Sequence, residues 1–198
     1  MYIPNEARII KESSHGYHLI PIQDEMLSHR EVELVGEVDA ASVNALIRQL
    51  RYLQRQDPEA PVTLYVNSPG GSVDSGMALY DVMQAVSCPI RTVCVGLAAS
   101  MAALLFVSGA ERDMLPHSRL MIHDPLILQT GGSALKLKAV SDDLMETRQI
   151  IAKVIADHSG KSMEEILVKT ASDSYFRAEE AVEFGLADRI ITSLADDK

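Results

Sequence analysis

The stretch Ile90–Ala110 reads IRTVCVGLAASMAALLFVSGA. Its two parts favour different backbones. Ile90–Val95 is a short β-branched run entered from Pro89, which predicts a buried strand. Gly96–Ala110 is small and apolar and predicts a buried helix. A strand passing directly into a helix is the unit of an α/β fold. One hydroxyl, Ser100, sits near the helix start among Ala98, Ala99, Met101 and Ala102. A helix start offers unpaired N–H groups and a positive dipole end. Ser100 there can act as a nucleophile with oxyanion donors at hand, or simply as a small residue for close packing or capping. The stretch alone leaves both open, and it lacks the GxSxG pattern of a nucleophile elbow.

Working outward, the alternation of strand and helix continues. Glu31–Val38 alternates like a strand, and Asp39 then caps a helix that ends before Pro58. That helix places Val43, Leu46, Ile47, Leu50 and Leu53 on one face. Val62–Val66 predicts a strand running into Asn67–Gly71 (NSPGG), followed by a helix over Val73–Val86. Ser118–Ile122 predicts a strand ending at His123. A long amphipathic helix over Leu135–His158 follows, with Leu137, Val140, Leu144, Ile151 and Val154 as its stripe and Gly160 beyond its end. It can project and bury the stripe against a partner, or pack on its own sheet. Ser162–Glu165 (SMEE) has capping-box spacing. Ala178–Gly185 and Ala187–Thr192 predict a last helix and strand. No repeat or long linker interrupts the 198 residues, so one domain over 1–198 is expected.

Composition narrows the function. With no Trp and three Phe, aliphatic residues and the nine Met must fill the core. A net charge of −10 argues against nucleic acid as a partner. No run of about 18 apolar residues exists, so no membrane span is expected. The start, MYIPNEARIIKESSHG, has no apolar signal core, and a cytoplasmic location is expected. Cys88 and Cys94 are expected to be buried free thiols. No histidine pair has metal-site spacing.

Three strand ends thus carry chemistry. The paired glycines Gly70 and Gly71 allow a bare backbone approach to a ligand, or an ordinary turn. His123 can be a general base or a hydrogen-bonded structural histidine. Ser100 is the third.

The segments YVNSPGGSVDSGMALYDVM (Tyr65–Met83), CVGLAASMAALLFVSGA (Cys94–Ala110), LPHSRLMIH-P (Leu115–Pro125) and AEEAVEFGLADRII (Ala178–Ile191) together resemble the proteolytic subunit of the Clp protease. The resemblance runs from Gly36 to Thr192. It implies a crotonase-like α/β superhelix of ββα units with a projecting handle helix. It also implies an ATP-dependent serine endopeptidase: two heptameric rings enclose a chamber, and hexameric AAA+ ATPases feed it unfolded chains. Residues 1–20 would form the N-terminal axial gate and 125–160 the handle region. By position, Ser100 matches the nucleophile and His123 the base. Asp173 matches the acid, with Asp124 and Asp188 as rivals by residue type. Asp124 is expected to point away from the base on an extended backbone. Gly71 and Met101 match the oxyanion hole. Gly70 and Pro125 match the backbone that binds an extended substrate. No metal or organic cofactor is implied.

Four departures stand out. Ala171 and Ser172 replace an acidic residue and an arginine implicated in ring–ring contact. Leu126–Lys138 (LILQTGGSALKLK) replaces a glycine-containing handle loop. Asp124 replaces a glutamine and, if close to His123, would raise the imidazole pKa. Arg177 replaces a frequent serine, removing a helix cap worth about 1 kcal/mol. Together with an N-terminal region lacking the usual arginine-rich pattern, they suggest a divergent paralogue that can mix with a second subunit type. The alternative function is therefore a ring-forming subunit with low activity alone.

Overall fold

The computed structural model describes residues 7–14, 16–127 and 129–195. Part of the segment expected to form an axial gate, residues 1–6 and His15, lies outside them, as does Leu128 of the handle loop. The chain opens on a hairpin, β1 (Arg8–Ser13) and β2 (Gly16–Pro21), and a short helix, α1 (Ile22–Ser28). Three strand–helix units follow. β3 (Glu31–Val38) leads to α2 (Ala40–Gln56), β4 (Val62–Gly71) to α3 (Val73–Ala85), and β5 (Ile90–Ala99) to α4 (Met101–Val107). Then come β6 (Glu111–Met114), β7 (Arg119–Ile122), α5 (Ala134–Ser159), α6 (Met163–Thr170), β8 (Ser174–Arg177), α7 (Ala178–Phe184) and β9 (Arg189–Ile190).

The sheet runs β3-β4-β5-β6-β9, all parallel. β5 has two partners on one side: β6 along Arg91–Cys94 and β7 along Leu97–Ala99. β8 adds antiparallel to β7. The fold is mixed α/β with a mostly parallel sheet, as expected, and the repeated β–α crossovers set the helices against it.

Local chemistry fixes the ends of the elements. Asp39 Oδ1 accepts from the Ser42 N–H at 2.8 Å, and Ser42 Oγ accepts from the Asp39 N–H at 3.0 Å, so α2 starts in a closed capping box. Ser162 and Glu165 make the same box for α6. Gly160, at φ 70°, ends α5 in the left-handed conformation that an L side chain resists. Lacking a serine at 177, α7 is capped from its third residue: Glu180 accepts from the Arg177 N–H at 2.7 Å.

The core is aliphatic. Val43, Leu46, Leu50 and Leu53 of α2, Leu64 and Val66 of β4, and all seven residues of α4 are buried. Each fully buried Leu or Phe contributes about 1.5–3 kcal/mol. Cys88 and Cys94 are buried free thiols. Burial pushes the Cys94 thiol up, away from reactive thiolate.

Several expectations need correction. NSPGG is extended backbone, because β3 pairs with it as far as Val38↔Gly71. Gly96–Ala99 is strand rather than helix, because β7 extends the pairing of β5 through Ala99↔Met121. The helix is therefore confined to Met101–Val107. The final strand covers only Arg189–Ile190. The long helix packs on the body through its second half, chiefly against α4 and α6. Ile151, Ala152, Val154, Ile155 and Ala156 are buried, while nothing from Ala134 to Ile150 is. At 26 residues it spans about 39 Å, and its first half stands clear of the body with Leu135, Leu137 and Met145 exposed.

Candidate active site

Ser100 occupies the turn between β5 and α4, at φ 54° and ψ −124°. A non-glycine residue there carries strain of about 1–3 kcal/mol. The surroundings hold it in place. Its N–H donates to Met121 O at 2.8 Å, and its carbonyl accepts from the Ala103 and Leu104 N–H groups at 3.0 and 3.2 Å. A turn this sharp leaves no room for larger neighbours. Ala98 and Ala102 are fully buried on either side of it. Gly70, at φ 91°, is the tightest point: a Cβ there would lie 2.5 Å from Ala99 O, 2.8 Å from Ser100 Cβ and 3.0 Å from Met101 N. A Cβ on Gly71 would lie 2.3 Å from Val38 O. The two glycines are thus required by close packing of β3, β4 and the serine turn. Met101 opens α4, so its N–H has no acceptor within the helix.

His123 follows directly after β7. Its Nε2 lies 2.8 Å from Ser100 Oγ, and its Nδ1 lies 3.4 Å from Asp173 Oδ1. The antiparallel pairing Ile122↔Ser174 brings the chain before β8 alongside the end of β7. Three residues distant in sequence are thereby united at one sheet edge. The His–Asp contact is longer than a charge-assisted hydrogen bond. Asp173 is 62 % exposed, whereas the imidazole is 15 % exposed.

The rivals of Asp173 are engaged elsewhere. Asp188 takes a bidentate grip from Arg112, with Nε on Oδ2 at 3.1 Å and Nη2 on Oδ1. Burial works to raise its pKa, but the Arg112 hydrogen bonds and charge prevail and hold the carboxyl below its ordinary value. Asp124 is engaged by α5 instead. Its Oδ2 accepts from Arg148 Nε at 2.6 Å, so its charge faces a guanidinium rather than the imidazole. Its N–H donates to Thr170 O at 2.7 Å.

Beside Ser100 and His123 is a small pocket of 20 Å³ closed by Val73, Met101, Ile122, Pro125, Ile151 and Ile155. Val73, Ile122, Ile151 and Ile155 were not foreseen as site residues. Apolar side chains on a helix or strand face read equally as core, so no motif marks them. A larger cavity of 490 Å³ lies away from this chemistry, among Met26, Val35, Tyr65, Val95 and Leu194, with Glu31 and Glu33 at its rim.

A family model described as Clp protease matches residues 14–194. The chain belongs to the Clp protease family. That family consists of serine peptidases that assemble as oligomeric rings, so the chain is a Clp-type peptidase. The match includes the hairpin from Ser14 onward and all three residues gathered at the serine turn. Among the described residues of this Clp protease family member, no helix is long and apolar enough to cross a membrane. Ala171 and Ser172, at two of the departures, are exposed beside Asp173.

Proposed function

We infer that the chain is the proteolytic subunit of a self-compartmentalised, ATP-dependent Clp protease, cutting unfolded polypeptides into short peptides. The observation that carries this reading is the 2.8 Å contact between Ser100 Oγ and His123 Nε2. In the reaction, Ser100 Oγ attacks a peptide carbonyl as His123 takes its proton. Asp173 orients the imidazole and stabilises the imidazolium. The N–H groups of Gly71 and Met101 hold the tetrahedral oxyanion. His123 then delivers its proton to the departing amine, and water repeats the sequence on the acyl-enzyme. Substrate lies extended along Gly70 and Pro125, adding a strand by main-chain hydrogen bonds. The small pocket beside Ser100 has room for about one water-sized group, so it reads little of the side chain next to the scissile bond.

The remaining surfaces fit this reading. Residues 1–198 act as one peptidase domain, and heptameric rings stack in pairs through the handle region, 125–160. There Leu126, Ile127, Leu135 and Met145 are exposed. The 490 Å³ cavity, with Val35 and Val95 exposed beside it, would seat apolar side chains of a hexameric AAA+ ATPase in the cytoplasm.

A second reading rests on the 3.4 Å His123–Asp173 contact and the exposure of Asp173. On that reading the chain forms rings but turns over slowly until a second subunit type completes the assembly. Fluorophosphonate labelling, short-peptide cleavage and native mass measurement separate the two. Active assembled protein labelled at Ser100 supports the first reading. Weak cleavage restored by a second subunit type supports the other, and assembled protein that never labels refutes both.

A further inference from the structure

Arg148 makes two contacts that matter for the reaction proposed above. Its Nε donates to Asp124 Oδ2 at 2.6 Å, and its Nη2 donates to Leu167 O at 2.9 Å. Asp124 follows His123. Leu167 lies in α6, whose last residue, Thr170, accepts the Asp124 N–H and precedes Asp173 by three positions. One side chain from α5 therefore joins the segment that carries the base to the helix that delivers the acid. The link is partly sheltered, with the two side chains 21 % and 30 % exposed. Asp124 Oδ1 is buried and takes no hydrogen bond among the described residues. A sheltered carboxylate in that state is costly without its guanidinium.

The geometry points to Arg148 as a positioning residue, acting through Asp124 to hold His123 in line with both Ser100 and Asp173. It touches neither substrate nor the reacting atoms. It couples the base to the inner half of α5, the helix whose outer half is free. The inference rests on the catalytic reading of Ser100 and His123. A displacement of the base of about 1 Å lowers the rate by up to about a hundredfold, so loss of half that alignment is read as roughly tenfold.

The test uses full-length assembled protein and three variants: Arg148→Met, Asp124→Asn and the double variant. Arg148→Met should slow fluorophosphonate labelling of Ser100 about tenfold and lower kcat for a short chromogenic peptide equally, with KM within about twofold. Asp124→Asn keeps an acceptor for Arg148 and should stay within about threefold of wild type. The double variant should be no slower than Arg148→Met, because both changes act through one link. Should Arg148→Met lose the native mass, Arg148→Gln replaces it under the same criteria. A wild-type labelling rate in the arginine variant sinks the proposal while leaving Ser100 as nucleophile. So does a KM effect without a kcat effect, or a double variant clearly slower than Arg148→Met. Wild-type protein that assembles but never labels overturns the catalytic reading and this proposal together.

Discussion

Gly70→Ala should disable the protein in a way that separates backbone strain from displacement of Ser100. The new methyl group would begin 2.5 Å from Ala99 O, against the 3.4 Å at which ordinary contact starts. Backbone atoms at the serine turn must therefore move by about 0.9 Å, since no flexible side chain end is in the way. Positive φ adds about 1–2 kcal/mol of strain, and forcing a methyl into packed surroundings adds about 1–3 kcal/mol. The expected loss is about 2–5 kcal/mol, or roughly 5–15 °C in Tm for a chain of this size. A shift near 1 Å at Ser100, the proposed nucleophile, should reduce kcat by about a hundredfold. The control is Gly36→Ala. Gly36 also has positive φ, at 80°, but a Cβ there meets nothing within 4 Å. It should show the strain alone, about 1–2 kcal/mol, with unchanged labelling of Ser100. Thermal melts and fluorophosphonate labelling of both variants decide the matter. If Gly70→Ala melts and labels like Gly36→Ala, the claim that Gly70 is required by the approach of Ser100 is wrong.

Other outcomes follow from single contacts. Asp173→Asn should leave folding stability within about 1 kcal/mol of wild type, because the side chain is exposed, yet lower kcat by about 10²–10⁴; peptide cleavage at matched native mass checks it. Asp113 is fully buried between Arg91 at 2.6 Å and Arg189 at 2.7 Å, so Asp113→Ala should cost about 3–5 kcal/mol in a denaturant melt. Arg189→Met, which leaves Arg91 in place, should cost clearly less. Burial, helped by the Arg112 charge, holds the His158 imidazole below its ordinary pKa. The unfolded chain therefore binds that proton first, and stability falls as pH drops below about 6.5. His158→Gln should flatten that part of a Tm-versus-pH curve. Asp188 works at lower pH: its depressed pKa means stability is lost as pH falls through the folded value, and Asp188→Asn should remove that acid limb.

Regular elements with local signals were legible from sequence. The alternation of Glu31–Val38 and the Asp39 cap mark β3 and α2 because both signals lie within a few residues. The serine turn was not legible as a shape. Gly96–Ala110 is uniformly small and apolar, and nothing in that composition says where strand yields to helix. The pairing of Leu97–Ala99 with β7 decides it, some twenty residues downstream. β6 is missed for a related reason. Its sequence ERDM looks like solvated loop, yet Asp113 is buried because β5 and β9 each bring an arginine to it. The candidate triad residues were picked out by motif, and pairing explains why they meet: β7 carries His123 to Ser100, and β8 brings Asp173 to His123. Arg148 lay beyond sequence reading, since its partners come from two separate segments.

The fork in β5 makes the separation of Ser100 and His123 a length standard. β6 and β7 lie end to end along the same strand, pinned by Leu115 N–H to Cys94 O at 3.1 Å and by Ser100 N–H to Met121 O at 2.8 Å. The 23-residue interval between serine and histidine is therefore measured against a fixed ruler. One residue added between those pins would either bulge out at Pro116–Ser118 or slide β7 by about 3.3 Å and turn the imidazole to the opposite face. Only the bulge keeps the pair in reach. Length variation that this chain can inherit is thus channelled into one short connection, and the distance between Ser100 and His123 is held by hydrogen-bond register rather than by the number of residues in the loop.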